Sequence, residues 1–153
     1  MTRRRLRELL AAAWIVSHIT TILVLLYYAF ITEVRLQFDE FTTAASIIVP
    51  MLATYTTMIV RYFTKHAGAS SASGGSVNAV FATLAFSFPL LLALYLNAVI
   101  AAYAHGAIGN PEQFKAMIAI GEGAFGIYAG QLLMGLFETD AQHPQKPVEA
   151  PSA

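Results

Sequence analysis

The chain has 153 residues, of which 57% are hydrophobic and 12% are charged, and its formal net charge is zero. Soluble domains carry about a quarter charged residues, so this composition excludes an ordinary soluble domain. The chain contains no cysteine, which excludes disulfides, thiolate nucleophiles and cysteine-ligated metal or iron–sulfur centres.

Four apolar segments are each long enough to cross a bilayer, which takes roughly 20 mostly apolar residues. They are residues 9–31, 41–63, 77–103 and 114–137. The predicted fold is an all-α membrane protein, a four-transmembrane-helix bundle over residues 9–137. We expect the other segments to be a basic cytoplasmic N-terminus (1–8), a flexible Gly/Ser/Ala-rich loop (64–76) and a disordered cytoplasmic tail (138–153).

The basic residues predict the orientation in the membrane. Seven of the nine lie on one side of the predicted spans and two on the other; the two are Arg35 and Lys115. The positive-inside rule therefore places both termini in the cytoplasm. The expected location is the inner membrane, with several passes. The outer loops are short and slightly acidic, and Glu40 is assigned to one of them.

The first span carries His18 near its middle and Trp14, a residue type that often anchors spans at membrane interfaces. A histidine inside a membrane can relay protons, bind haem or form a hydrogen bond between helices. Haem held by two histidines needs a partner at similar depth, and His66, His105 and His143 do not match. No cofactor and no metal are predicted.

The second span has one hydroxyl-rich helical face. Its members recur at helical spacing: Thr43, Ser46, Pro50, Thr54, Thr57 and Arg61. Pro50 predicts a kink because it removes a backbone donor. The face could line a water-filled path with Arg61 at its cytoplasmic end. Alternatively, the hydroxyls bond carbonyls of their own helix and Arg61 reaches the lipid headgroups.

The third span carries Pro89, where a second kink is predicted, and Asn97. A buried amide in a span more often joins helices than binds substrate.

The fourth span carries Glu122, about 5 Å from the span's middle at ~1.5 Å rise per residue. An ionised carboxylate there costs roughly 2.5–3.5 kcal/mol. Glu122 must therefore be protonated, face water, or pair with a polar group at similar depth, for which His18 and Asn97 are the candidates. Gly123, Gly126 and Gly130 have the small-residue spacing typical of helix contacts in membranes.

Three functional hypotheses are consistent with the sequence. The first is a homo-oligomeric pore that conducts ions or protons, with Glu122, Thr43, Ser46, Thr54, Thr57 and Arg61 lining the path. The second is a non-catalytic membrane anchor, assembly subunit or membrane-perturbing effector of a stress or defence system, and the third is a dimeric proton-coupled transporter using Glu122.

No catalytic arrangement or motif supports an enzyme. The expected partners are the lipid bilayer, further copies of the chain and, in the second hypothesis, a separately encoded protein. No nucleic acid is expected to bind.

Overall fold

The computed structural model describes residues 2–32, 36–65 and 79–137, and these residues form four α-helices without any strand. The helices are α1 (Arg3–Phe30), α2 (Phe38–Lys65), α3 (Ala79–Ala104) and α4 (Pro111–Phe137). The predicted all-α class is confirmed. The loop predicted at 64–76 lies mostly, and the tail at 138–153 wholly, outside the described residues.

Three of the helices are long and apolar enough to cross a membrane, over Arg5–Phe30, Phe38–Arg61 and Ala79–Ala104. In the 18-residue apolar stretch of each of these helices, only 33%, 22% and 22% of the residues, respectively, are buried within the protomer. Most of the side chains in these stretches therefore face outward. Such a surface fits lipid or another apolar partner rather than water. Among the described residues, α4 is not one of these three helices. The fourth span and the cytoplasmic location of both termini stay predictions.

Two helices begin earlier than the apolar pattern indicates, because side chains cap them. The hydroxyl of Thr2 accepts a hydrogen bond from the backbone N–H of Arg5, so α1 extends back through most of the segment predicted as a separate basic N-terminus. At α2, the backbone N–H of Gln37 donates to Oε2 of Glu40 at 2.8 Å. A glutamate at the third helical position caps a helix in this way. Glu40 therefore belongs to α2, and its assignment to a loop is wrong.

The four helices form a square in which α1 and α4 are diagonally opposite. Helix α1 packs against α2 and α3, and α4 packs against the same two helices. Each helix contributes fully buried side chains to one core, for example Leu10, Ile48, Leu96 and Ile118. A residue that points inward from α1 can thus meet one from α4 across the centre of the bundle.

Both prolines lie inside continuous helices. Helix α2 runs through Pro50 and α3 runs through Pro89. Pro50 is exposed on the outside of the bundle, whereas Pro89 is buried. The kinks at these positions stay predictions.

Two glycines of α4 lie in close contact with side chains of neighbouring helices. A Cβ atom added at Gly121 would collide with the aromatic ring of Tyr95 on α3. One added at Gly126 would lie 2.5 Å from Cε of Met51 and 3.0 Å from the hydroxyl of Tyr55, both on α2. Gly123 and Gly130 have no such neighbour within 4 Å among the described residues. Helix contacts through these two glycines stay a prediction.

We expect Gly121→Ala to destabilise the bundle by about 1–3 kcal/mol, because the ring of Tyr95 is held in place and cannot yield freely. Its hydroxyl donates to the backbone oxygen of Met117 at 3.0 Å. Gly123→Ala is the matched control, since its methyl group meets open space and alanine favours the helix by up to about 1 kcal/mol. Thermal unfolding of both variants in detergent, followed by circular dichroism, tests the difference. Equal stability of the two would contradict the close contact at Gly121.

Candidate functional site

The candidate site is a group of polar side chains at the centre of the bundle. Nε2 of His18 on α1 lies 3.8 Å from Oε1 of Glu122 on α4. His18 is 2% exposed and Glu122 is 1% exposed, so both are out of contact with solvent or lipid. Among the described residues, no lysine or arginine forms an ion pair with Glu122. The imidazole of His18 is therefore the one basic group that the described structure brings to this carboxyl group.

Two aromatic side chains surround the imidazole. The ring centroid of Trp14, one helical turn before His18, lies 5.6 Å from that of His18 and 5.0 Å from that of Tyr55 on α2. The rings of His18 and Tyr55 are 5.7 Å apart. Trp14 is 1% exposed, so the predicted role of this residue as an interfacial anchor is wrong. Three rings from two helices thus form one side of the cluster.

Several polar atoms of this cluster are buried without a hydrogen-bond partner among the described residues. They are Nε1 of Trp14, Nε2 of His18, the hydroxyl of Tyr55 and both carboxyl oxygens of Glu122. An unpartnered buried polar group costs about 1–3 kcal/mol, and more if it is charged. Such groups are rare in native proteins and call for an explanation such as strain, bound water or ions, or a chemical role.

The hydrogen bond made by Nδ1 of His18 indicates which ring nitrogen carries the proton when the imidazole is neutral. Nδ1 lies 2.9 Å from the backbone oxygen of Trp14. A carbonyl oxygen only accepts hydrogen bonds, so Nδ1 carries a proton. Nε2 is then a free lone pair in neutral histidine and a second N–H in the cation. One proton can consequently reside either on Nε2 of His18 or on Glu122, giving an ion pair or a neutral pair.

Asn97, the other predicted partner of Glu122, does not bond it. Neither oxygen of Glu122 has a hydrogen-bond partner among the described residues, and Oδ1 of Asn97 is itself buried without one. Of the two side chains that the sequence places at similar depth, the structure brings His18 to the carboxyl group and leaves Asn97 unbonded to it.

The hydroxyl face of α2 lies elsewhere, on the outside of the protomer. Ser46, Thr54, Thr57 and Arg61 are exposed, and Thr43 is partly exposed. The hydroxyl of Thr54 donates to the backbone oxygen of Pro50 at 2.9 Å, and the other three hydroxyls likewise donate to carbonyls of α2. Within one protomer this face and Glu122 do not share a surface. A path lined by both sets of residues stays a prediction that would require a different arrangement of helices or copies.

A second buried carboxyl group, that of Glu40, lies in the first turn of α2, close to the connection from α1. Oε1 of Glu40 accepts a hydrogen bond from the hydroxyl of Tyr103 on α3, while Oε2 caps α2. Glu40 is 4% exposed. The ring of Tyr103 stacks on Phe114 of α4, with centroids 4.3 Å apart. This contact joins three helices at one end of the bundle, and sequence analysis missed it.

The sequence pattern also did not predict that Tyr55 belongs to this cluster or that Trp14 lies inside the bundle. A signal existed for Trp14, because residues 14 and 18 lie four apart and therefore share one face of a helix. Tyr55 is one residue away from the hydroxyl face that dominates the pattern of α2, and nothing in its spacing relates it to residues on other helices.

Among the described residues, no group of three or more histidine and acidic side chains could hold a metal ion. No protein-family model, curated protein or solved structure matches the chain. The fold and the site therefore define a class alone: an all-helical protein with three helices able to cross a membrane and a buried histidine–glutamate pair at the bundle's centre.

Proposed function

We propose that the protein is an integral membrane protein that carries protons across the bilayer by protonation and deprotonation of the His18–Glu122 pair. The observation that supports this proposal is the group of unpartnered buried polar atoms around that pair. Ionisable side chains inside membrane segments are costly, and they commonly mark proton or ion pathways. The proposed setting is the inner membrane, with four spans and both termini in the cytoplasm.

The geometry favours proton chemistry over a purely structural bond. A structural pair would be expected at hydrogen-bond distance, about 2.7–2.9 Å for a charged donor and acceptor. The 3.8 Å between Nε2 of His18 and Oε1 of Glu122 is longer, and the second carboxyl oxygen is also unpartnered. Because Nδ1 is held by the backbone oxygen of Trp14, the imidazole can gain or lose a proton at Nε2 without turning over.

The proposal is tested by proton flux into liposomes that contain the purified protein and a pH-sensitive dye, driven by a potassium diffusion potential. We expect the wild-type protein to acidify the lumen and Glu122→Gln to reduce the rate at least tenfold, to that of empty liposomes. An amide has a similar shape but cannot carry the proton. Glu112→Gln is the matched control, because Glu112 lies on the same helix but is exposed and paired with Lys115 at 3.0 Å.

Wild-type liposomes no more permeable than empty ones would contradict the proposal, as would equal flux through wild type and Glu122→Gln. Flux that survives Glu122→Gln but is lost in Thr54→Leu would instead support a second candidate. In that candidate, several protomers surround a pore lined by the exposed hydroxyl face of α2. The observation in its favour is that these hydroxyls lie on the outside of the bundle, where another copy can meet them.

Two alternatives assign the His18–Glu122 pair a different role or none. A dimeric transporter would couple protonation of Glu122 to movement of a small solute, and it would share the Glu122 dependence of the flux. An anchor or assembly subunit would show no flux by itself and would require a separately encoded partner.

A further inference from the structure

The central cluster has an unbalanced charge when Glu122 is ionised and His18 is neutral. The site then carries a net charge of about −1, since no described lysine or arginine pairs with Glu122. Proton binding neutralises that charge, and this is the basis of the proposed function. A second kind of monovalent cation could neutralise it as well, provided that the polar atoms match its hydrogen bonds.

Four of the five unpartnered atoms of the cluster can accept hydrogen bonds from an ammonium group, whereas the fifth, Nε1 of Trp14, is a donor. With His18 neutral, Nε2 offers one lone pair, the Tyr55 oxygen offers another and Glu122 offers its carboxylate. They are acceptors from three different helices, and an ammonium group R–NH₃⁺ has three N–H donors. Water could fill the same positions, but it would leave the negative charge of the site in place.

The aromatic side chains add a second feature that favours a cation. The ring centroids of Trp14, His18 and Tyr55 lie 5.0–5.7 Å from one another. The imidazole of His18, which faces Glu122, therefore has an aromatic ring from each of two helices beside it. A cation near the face of a tryptophan or tyrosine ring is attracted by the ring's quadrupole, most strongly where water is excluded. Trp14 and Tyr55 are 1% and 4% exposed.

We propose that the cluster of Trp14, His18, Tyr55 and Glu122 is a binding site for a small primary ammonium cation, which competes with the proton for Glu122. The inference rests on the proposed function, because it gives the proton-carrying site a substrate class. The O–H bond of protonated Glu122 breaks as its proton passes to water, and the ammonium cation then binds without forming a covalent bond. The net charge of the site is therefore the same in both states. The resulting activity is exchange of an amine cation for a proton.

Trp14 provides a direct measurement, because it is the only tryptophan in the chain. The purified full-length protein in detergent is titrated with methylammonium chloride, and the intrinsic fluorescence of Trp14 is recorded at constant ionic strength. We expect a saturable change in fluorescence. Below the pH at which the site takes up its proton, the apparent Kd should rise about tenfold per pH unit, because one proton competes with one cation.

The titratable groups that face Glu122 must be considered in that pH dependence. His18 faces it from α1, and Tyr55 is the buried hydroxyl that α2 brings to the cluster. Helix α3 contributes Tyr95, whose ring lies against Gly121 and whose hydroxyl already donates to the backbone oxygen of Met117. Tyrosines remain neutral over pH 5–8. The proton that competes with methylammonium is therefore the single proton that the His18–Glu122 pair holds in the proposed function.

Tetramethylammonium is the matched ligand control, since it carries the same charge but has no N–H donor. It should give less than a tenth of the methylammonium response at equal concentration. Tyr55→Phe removes one acceptor and should weaken methylammonium binding about fivefold to tenfold. Glu122→Gln should abolish the response, whereas Glu112→Gln should leave it unchanged.

The inference is overturned by an absent methylammonium response, by an equal response to tetramethylammonium, or by a Kd independent of pH. These outcomes are distinguishable from failure of the proposed function. Proton flux that depends on Glu122 with no amine binding overturns the amine site alone, whereas loss of that dependence overturns the proton-carrying role.

Discussion

Replacing His18 alone by leucine is expected to destabilise the folded protein by about 3–5 kcal/mol, and replacing Glu122 by leucine as well is expected to recover most of that loss. Removing one partner of a buried pair leaves the other charge without compensation, whereas replacing both by apolar residues is often neutral or stabilising. At the centre of this bundle the effect is near its maximum, because His18 and Glu122 are 2% and 1% exposed.

The measurement is a double-mutant cycle on unfolding in mixed detergent, followed by circular dichroism so that changes near Trp14 do not affect the signal. The coupling energy between His18 and Glu122 should exceed about 2 kcal/mol. The matched control is the Glu112–Lys115 pair, which is exposed and three residues apart on α4. Exposed pairs of this kind contribute at most about 1 kcal/mol.

Additive effects of the two leucine substitutions would show that His18 and Glu122 do not interact in the folded state. In that case the unpartnered atoms around them would have to be satisfied separately, and a shared proton would lose its physical basis.

The position of Glu122 is the feature that sequence reasoning anticipates best. A carboxyl group in an apolar run is costly wherever it points, so its presence alone indicates a special environment. Depth in the span then selects His18 as a partner, and the structure places the two side chains 3.8 Å apart. Depth does not give direction around the helix, and for that reason it also selected Asn97, which is not bonded to Glu122.

The hydroxyl face of α2 shows what helical spacing in the sequence does not predict. Helical spacing identifies residues that share a face, but it does not say which surface the face meets. Threonine and serine can donate to carbonyls of their own helix, so they require no partner across a helix contact. In the structure they do donate in this way, for example from Thr57 to Ala53 at 2.7 Å. The same pattern is therefore consistent with a face toward lipid, another copy or water.

The hydrophobic pattern of the sequence did not predict the two hydrogen bonds of Glu40, because neither a helix cap nor a contact between distant residues leaves a trace in that pattern. Helix boundaries depend on capping bonds that extend a helix past its apolar run. The contact with Tyr103 joins residues 63 positions apart in the chain, and no periodicity within either helix relates them.

Glu40→Ala is expected to lower the stability of the protein by about 2–4 kcal/mol. The substitution leaves two donors without an acceptor, the backbone N–H of Gln37 and the hydroxyl of Tyr103. Leaving a buried donor unpaired costs about 1–3 kcal/mol, and because both of these bonds are part-buried, each is expected to contribute toward the lower end of that range. The loss should be largest in the first turn of α2, where hydrogen exchange of the backbone amides should accelerate more than it does at the centre of the helix.

Asp39→Ala is the matched control for Glu40→Ala. Asp39 also lies in the first turn of α2, but it is exposed. Its favourable interaction with the helix dipole is about 0.3–1 kcal/mol, so its removal should cost no more than that. If the two substitutions had equal effects, Glu40 would act through charge alone. A larger effect at Glu40, reproduced in part by Tyr103→Phe, would show instead that this carboxylate holds the ends of α2 and α3 together.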